Sequence, residues 1–178
     1  MAALPDWQVS RWLNCDTPLR LGMLRGRVVL VHVFQMLCPG CVLHGLPQTQ
    51  RIARQLVDAP LSVVGLHSVF EHHDVMTPRA LAAFLAENRY AFPVGVDTAS
   101  RDDDPRPCTM RAWALEGTPT TLLIDIRGRL RYRHFGIEED LALGVHLGQL
   151  LQEAKGLDAP PGRRQTAQEG RIARLPRD

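Results

Sequence analysis

No run of about 18 consecutive apolar residues occurs in this 178-residue chain, so nothing in it is built to cross a bilayer as a helix. The first 25 residues also lack a sustained apolar stretch and carry Asp6, Arg11, Asp16 and Arg20, which fits neither a secretion signal nor a membrane anchor. The cytoplasm is the expected compartment, and no membrane partner is expected. Neither sign of charge dominates: 21 basic and 19 acidic residues leave a formal charge of +2. No basic stripe interleaved with aromatic residues is present, which argues against a nucleic-acid partner. Internal repeats are absent. Cysteine is scarce, with Cys15, Cys38, Cys41 and Cys108 the full set.

What remains is a chain with 45% apolar content, long enough to bury one core. A single domain over 1–154 is expected, followed by a tail over 155–178. That tail contains Pro160-Pro161-Gly162-Arg163-Arg164 and little apolar material, and reads as exposed.

Strand and helix signals alternate along the domain. Short alternating pieces around Trp7, Val9, Trp12 and 19–24, broken by Pro5 and Pro18, predict an N-terminal hairpin, with both tryptophans as its packing. Val28-Val29-Leu30-Val31-His32-Val33-Phe34 predicts a buried strand, and 40–56 carries apolar residues at helical spacing. A second buried strand is expected over 61–66. Thr77 and Pro78 form a cap and first-turn signal for a helix reaching Asn88. A short strand over 92–97 precedes the turn-rich stretch Asp102-Asp103-Asp104-Pro105-Arg106-Pro107 and a short helix over 110–115 around Trp113. Strands over 121–126 and 130–135 flank the turn Arg127-Gly128 as a hairpin. A final helix over 138–154 is expected to bury Leu141, Val145, Leu147 and Leu151. The order implies an α/β fold: a mixed, mostly parallel central sheet with helices on both faces and an N-terminal hairpin extension.

Cys38-Pro39-Gly40-Cys41 sits where the first core strand becomes a helix. The first amides of a helix lack intrahelical partners and carry the positive end of the peptide dipoles, so a thiolate at Cys38 is stabilised there. Cys41, one turn on, is close enough to attack a mixed disulfide formed at Cys38. Pro39 suits the first turn, where its missing amide proton costs nothing. This is a dithiol switch, and in a reducing compartment its resting form is expected to be the dithiol. The competing readings are half a zinc site and a structural pair. Zinc needs a second ligand pair, but Cys15 and Cys108 are isolated and His72-His73 are adjacent, projecting in different directions. Glu71-His72-His73-Asp74 reads as a solvated loop, and Cys15 and Cys108 as small buried apolar residues.

The chain resembles the redoxin branch of the thioredoxin superfamily, in particular thiol-disulfide oxidoreductases related to cytochrome c maturation reductases and to the alkyl hydroperoxide reductase/thiol-specific antioxidant group. The likeness rests on Leu4-Pro5-Asp6-Trp7, Leu24-Arg25-Gly26-Arg27, the CxxC, Phe92-Pro93-Val94, and Gly117-Thr118-Pro119-Thr120 followed by Leu122-Leu123-Ile124-Asp125. It implies a thioredoxin-like fold in which Pro119 follows a cis peptide bond against the dithiol and Thr118 lines a partner groove. It further implies exchange with a disulfide-containing protein or small thiol, an upstream thiol reductant, and no organic cofactor. Three positions depart from the family pattern. Leu37 replaces an aromatic residue before the first cysteine, and His32 replaces a buried acidic or amide residue. Pro47 lies six residues after Cys41, one more than is usual in relatives, which implies a shifted kink or an extra residue in the helix. His32 reads equally as a proton acceptor for Cys41 and as a satisfied core histidine. His44 reads as a surface helix residue or a tuning charge. Thiol peroxidases of the superfamily carry a threonine and a proline where this chain has Gln35 and Val31, which sets that alternative lower. A thioredoxin-fold copper or zinc carrier is the remaining alternative.

Overall fold

The computed structural model describes residues 4–100 and 104–158. Six strands form one sheet: β1 (Val9–Leu13), β2 (Val28–Phe34), β3 (Leu61–His67), β4 (Val94–Asp97), β5 (Thr120–Ile124) and β6 (Leu130–Phe135), in the spatial order β1-β4-β3-β2-β5-β6. β2 lies in the centre, parallel to β3 and antiparallel to β5, and all seven of its residues are buried. Its apolar run needs that position, because a strand covered on both faces has no side to give to water.

Alternate residues of β2 feed different layers. Val29, Val31 and Val33 pack with Trp7, Met110 and Trp113, the last two from α3 (Cys108–Ala112) and the residue after it. Val28 and Leu30 face Leu143, Leu147 and Leu150 of α4 (Asp140–Asp158), with Ile52 of α1 (Leu46–Gln55) beside them. Phe34 packs with Leu46 and with Leu81 and Leu85 of α2 (Pro78–Glu87). The sheet is thus covered on both faces. α2 starts as its sequence implies, with Thr77 Oγ1 accepting a hydrogen bond from the Ala80 amide at 3.2 Å.

The N-terminal hairpin is not formed. β1 instead pairs antiparallel with β4 at the sheet edge, with Leu13 opposite Val94 and Val9 opposite Asp97. The other arm, Leu21–Leu24, is a 3₁₀ turn. It is drawn to the core by Trp7, whose indole Nε1 donates to the Leu19 carbonyl at 2.7 Å. Of the stripe expected for α4, Leu147 is buried and Leu151 packs half-buried on the core, while Leu141 and Val145 face solvent; Leu143, Leu150 and Ala154 complete the buried face. α4 continues four residues past the expected limit at Ala154. Residues 159–178 of the expected tail, and Asp102 and Asp103 of the expected loop, lie outside the described residues.

Candidate functional site

The C-terminal end of β2 delivers the chain to Gln35–Cys38, and the helix opens at Pro39. Residues Cys41–Gly45 then form a π-helical turn in which the Leu46 amide donates to the Cys41 carbonyl. Pro47 explains it. Without an N–H, Pro47 cannot bond to a carbonyl one turn back, and its ring crowds that carbonyl, so the chain takes in one extra residue before resuming α-helix. The extra residue implied by the Pro47 spacing is therefore present as this turn.

Cys38 is half-buried and Cys41 fully buried, and both are free thiols. The Cys41 amide donates to Cys38 Sγ at 3.3 Å, and Cys38 Sγ lies 3.5 Å from the Thr118 carbonyl, to which it donates. The Thr118–Pro119 peptide bond is cis. Pro119 Cδ and Ile137 Cγ1 pack over Gly40, 3.3 and 3.5 Å from where a β-carbon of Gly40 would stand. Thr118, Pro119 and the two cysteines are thereby gathered at one spot. Burial pushes the Cys41 thiol well above the ordinary thiol range, and its hydrogen bond with Cys38 adds to the shift.

His32 is buried, and burial lowers its pKa to about 4. Neither Nδ1 nor Nε2 has a hydrogen-bond partner, so the structure gives it no bond to Cys41 and equally none to backbone. The structure places His32 in the core, as one of the two readings expected, but without the hydrogen bond that reading included. His44 is exposed. Cys15 and Cys108 are half-buried rather than buried, and Cys108 Sγ approaches the Ala99 carbonyl at 3.8 Å. Among the described residues no three His, Cys, Asp or Glu side chains gather as a metal site would require.

Two features escaped the sequence reading. Gln35 is buried, and its Oε1 accepts from the Phe70 amide at 3.2 Å while its Nε2 donates to Glu71 at 3.3 Å, tying the β3–α2 loop to the dithiol loop. His67, the last residue of β3, is a second buried histidine without a hydrogen-bond partner, its ring 5.2 Å from that of Phe34. A polar residue ending an apolar strand was the one available signal for each. Leu37, next to Cys38 in the chain, and Ile137, packed against Gly40, expose large apolar side chains, as do Leu43 and Phe135.

No family model matches the chain. It is 27% identical over 154 residues to the protein DipZ of Mycobacterium bovis and of Mycobacterium tuberculosis, a match that takes in 85% of this chain. The chain spans about a fifth of the length of these curated relatives, 21%. Among solved structures, a thioredoxin-like superfamily protein shares 48% identity over 84% of this chain and 96% of its own, with a TM-score of 0.79. A thiol-disulfide isomerase from Corynebacterium glutamicum shares 51% over 83% of this chain and 95% of its own, with a TM-score of 0.78. At that identity and coverage, and with the sheet order and dithiol placement described above, this chain belongs to the thioredoxin-like redoxin family.

Proposed function

We propose that the protein is a thiol-disulfide oxidoreductase acting on a disulfide-bearing protein or a small disulfide. Cys38, the more accessible sulfur, attacks as thiolate. A bond forms between Cys38 Sγ and one partner sulfur, the partner's disulfide breaks, and its other sulfur leaves as a thiolate that takes up a proton. Cys41 then gives up its proton and attacks Cys38 Sγ. The mixed disulfide breaks, the second partner thiol departs, and the chain is left oxidised by two electrons as a Cys38–Cys41 disulfide. A thiol reductant returns it to the dithiol, and the chemistry calls for no organic cofactor.

The observation that carries this reading is the Cys41 amide directed at Cys38 Sγ, a sulfur that also reaches the Thr118 carbonyl beside Pro119. A backbone donor aimed at one sulfur stabilises negative charge there, while the buried partner stays protonated until a mixed disulfide needs resolving. Thr118 and Pro119 form the wall against which a partner chain lies. The isomerase likeness supports the same chemistry.

The test is turnover of insulin disulfides with dithiothreitol as donor. Cys38→Ser abolishes it, and Cys41→Ser accumulates a covalent mixed disulfide visible by non-reducing electrophoresis. Turnover retained in Cys38→Ser overturns the reading.

A further inference from the structure

We propose that His32 and Gly45 are an interlocked pair that positions Cys41 for its attack on the mixed disulfide, His32 acting by shape through Gly45; this rests on the oxidoreductase reading above. Cys41 and Gly45 are the first and last residues of the π-helical turn, closed by the Leu46 amide on the Cys41 carbonyl. The far end of that turn stands directly on the imidazole. A β-carbon at Gly45 would lie 2.2 Å from His32 Cε1 and 2.4 Å from Nε2, far inside van der Waals contact, so only glycine allows this approach.

The ring is buried in the core. It stacks against Phe34 with centroids 6.2 Å apart and planes 10° apart, and its backbone is held on both sides by the central sheet, opposite Gly65 of β3 and Thr121 of β5. From above, the turn is fastened by Thr49 Oγ1, which donates to the Gly45 carbonyl at 2.8 Å. The imidazole is therefore a wedge between a rigid sheet and the five residues that carry Cys41. No protein atom bonds to either ring nitrogen, so no direct hydrogen bond joins His32 to Cys41. The contact that does exist is steric and falls on Gly45. Through the turn it sets where the Cys41 amide and sulfur stand relative to Cys38 Sγ, now 3.3 Å from that amide.

The experiment follows the two phases of reaction between the reduced full chain and the chromogenic disulfide dithiobis(nitrobenzoate). In the first, Cys38 takes one nitrothiobenzoate and releases the other. In the second, Cys41 attacks Cys38 Sγ and releases the remaining one, so its rate reads the placement of Cys41. Because ångström-scale misplacement of a reacting group costs up to about 100-fold, His32→Ala and Gly45→Ala are each expected to slow the second phase about tenfold and to leave the first within about twofold. In the double variant the alanine methyl at position 45 takes up the part of the imidazole's space nearest the turn, where Cε1 and Nε2 had stood. The second phase then recovers to within about threefold of wild type, with its pH midpoint unchanged, which a lost base does not allow.

A double variant as slow as His32→Ala, or one whose pH midpoint has moved, overturns the proposal. Should Gly45→Ala fail to fold, the comparison of His32→Ala with the double variant decides alone. Failure of the first phase in the wild-type protein strikes a different target, the oxidoreductase reading itself.

Discussion

The backbone amide of Cys41 points at the sulfur of Cys38, 3.3 Å away, while the sulfur of Cys41 is itself sealed from solvent. One residue thus plays two parts: its main chain supports the neighbouring sulfur and its side chain waits. Native reduced protein treated with iodoacetamide is expected to alkylate at Cys38 at least about tenfold faster than at Cys41, because a thiol held protonated and buried is a poor nucleophile. Peptide mapping checks this, and equal labelling of the two contradicts it.

The same burial has a consequence for stability. Folding raises the Cys41 pKa, so above the ordinary thiol value of about 8.5 the unfolded chain has released a proton that the folded chain keeps. Stability conferred below that pH is lost as pH rises, with a slope approaching 1.4 kcal/mol per pH unit, about one proton's worth. Urea melts of the reduced protein at rising alkaline pH measure the slope, and Cys41→Ala is expected to reduce it.

At the acid end the two unpartnered histidines govern. Burial lowers His32 and His67 each to about 4, so between about 6.5 and 4 the unfolded chain binds protons that the folded chain excludes. Their contribution is present above the unfolded value and lost as pH falls, at up to about 1.4 kcal/mol per pH unit for each ring. His67→Phe, which keeps an aromatic ring beside Phe34, is expected to remove about half of that slope. Melts at about pH 7 and about pH 5 decide it; an unaltered slope assigns the acid sensitivity elsewhere.

Much of this was legible because it is local. The six apolar residues of β2 state their own burial, Thr77 and Pro78 announce the start of α2, and the spacing from Cys41 to Pro47 implied a shifted kink or an added residue. What could not be read depends on partners distant in sequence. Val9 finds Asp97 and Leu13 finds Val94, a choice set by how Trp7, Trp12 and Trp113 pack rather than by any turn between β1 and the segment after it. The buried face of α4 is set by what it packs on: Leu143, Leu147, Leu150 and Ala154 lie in one cluster with Val28, Leu30 and Leu123, from strands far away in sequence. His32 was visible as an oddity, yet only coordinates reveal that Gly45 rests on it.

The apolar rim predicts how substrate size will matter. Leu37 and Ile137 both expose apolar side chains beside the dithiol, Leu37 next to Cys38 in the chain and Ile137 against Gly40. A protein disulfide covers both, whereas a small disulfide reaches the sulfur without them. Replacing either by glutamate is expected to raise KM for insulin about tenfold, the equivalent of about 1.4 kcal/mol of lost apolar burial. Reaction of Cys38 with a small aromatic disulfide is expected to change much less. Parallel losses with both substrates count against a docking role for the rim.

Gln35 offers the sharpest link between the dithiol loop and its surroundings. Its backbone carbonyl accepts from the Cys38 amide at 3.2 Å, and its side-chain amide holds the Phe70 amide and Glu71 of the neighbouring loop. Gln35→Ala leaves the part-buried Phe70 amide without its protein partner, a loss of about 1 kcal/mol. Two-thirds of the effect or more is expected to fall on the 68–76 loop rather than on the sheet, because β2 keeps its ladder to β3 and β5. Hydrogen exchange distinguishes the cases: the Phe70 amide loses protection several-fold while those of Val31 and Val33 stay within about twofold, about 1.4 kcal/mol being one decade. A uniform loss across strand and loop shows that Gln35 holds up the core; a local one shows that it fastens the loop to the dithiol, so that the 68–76 segment moves independently once the clamp is cut.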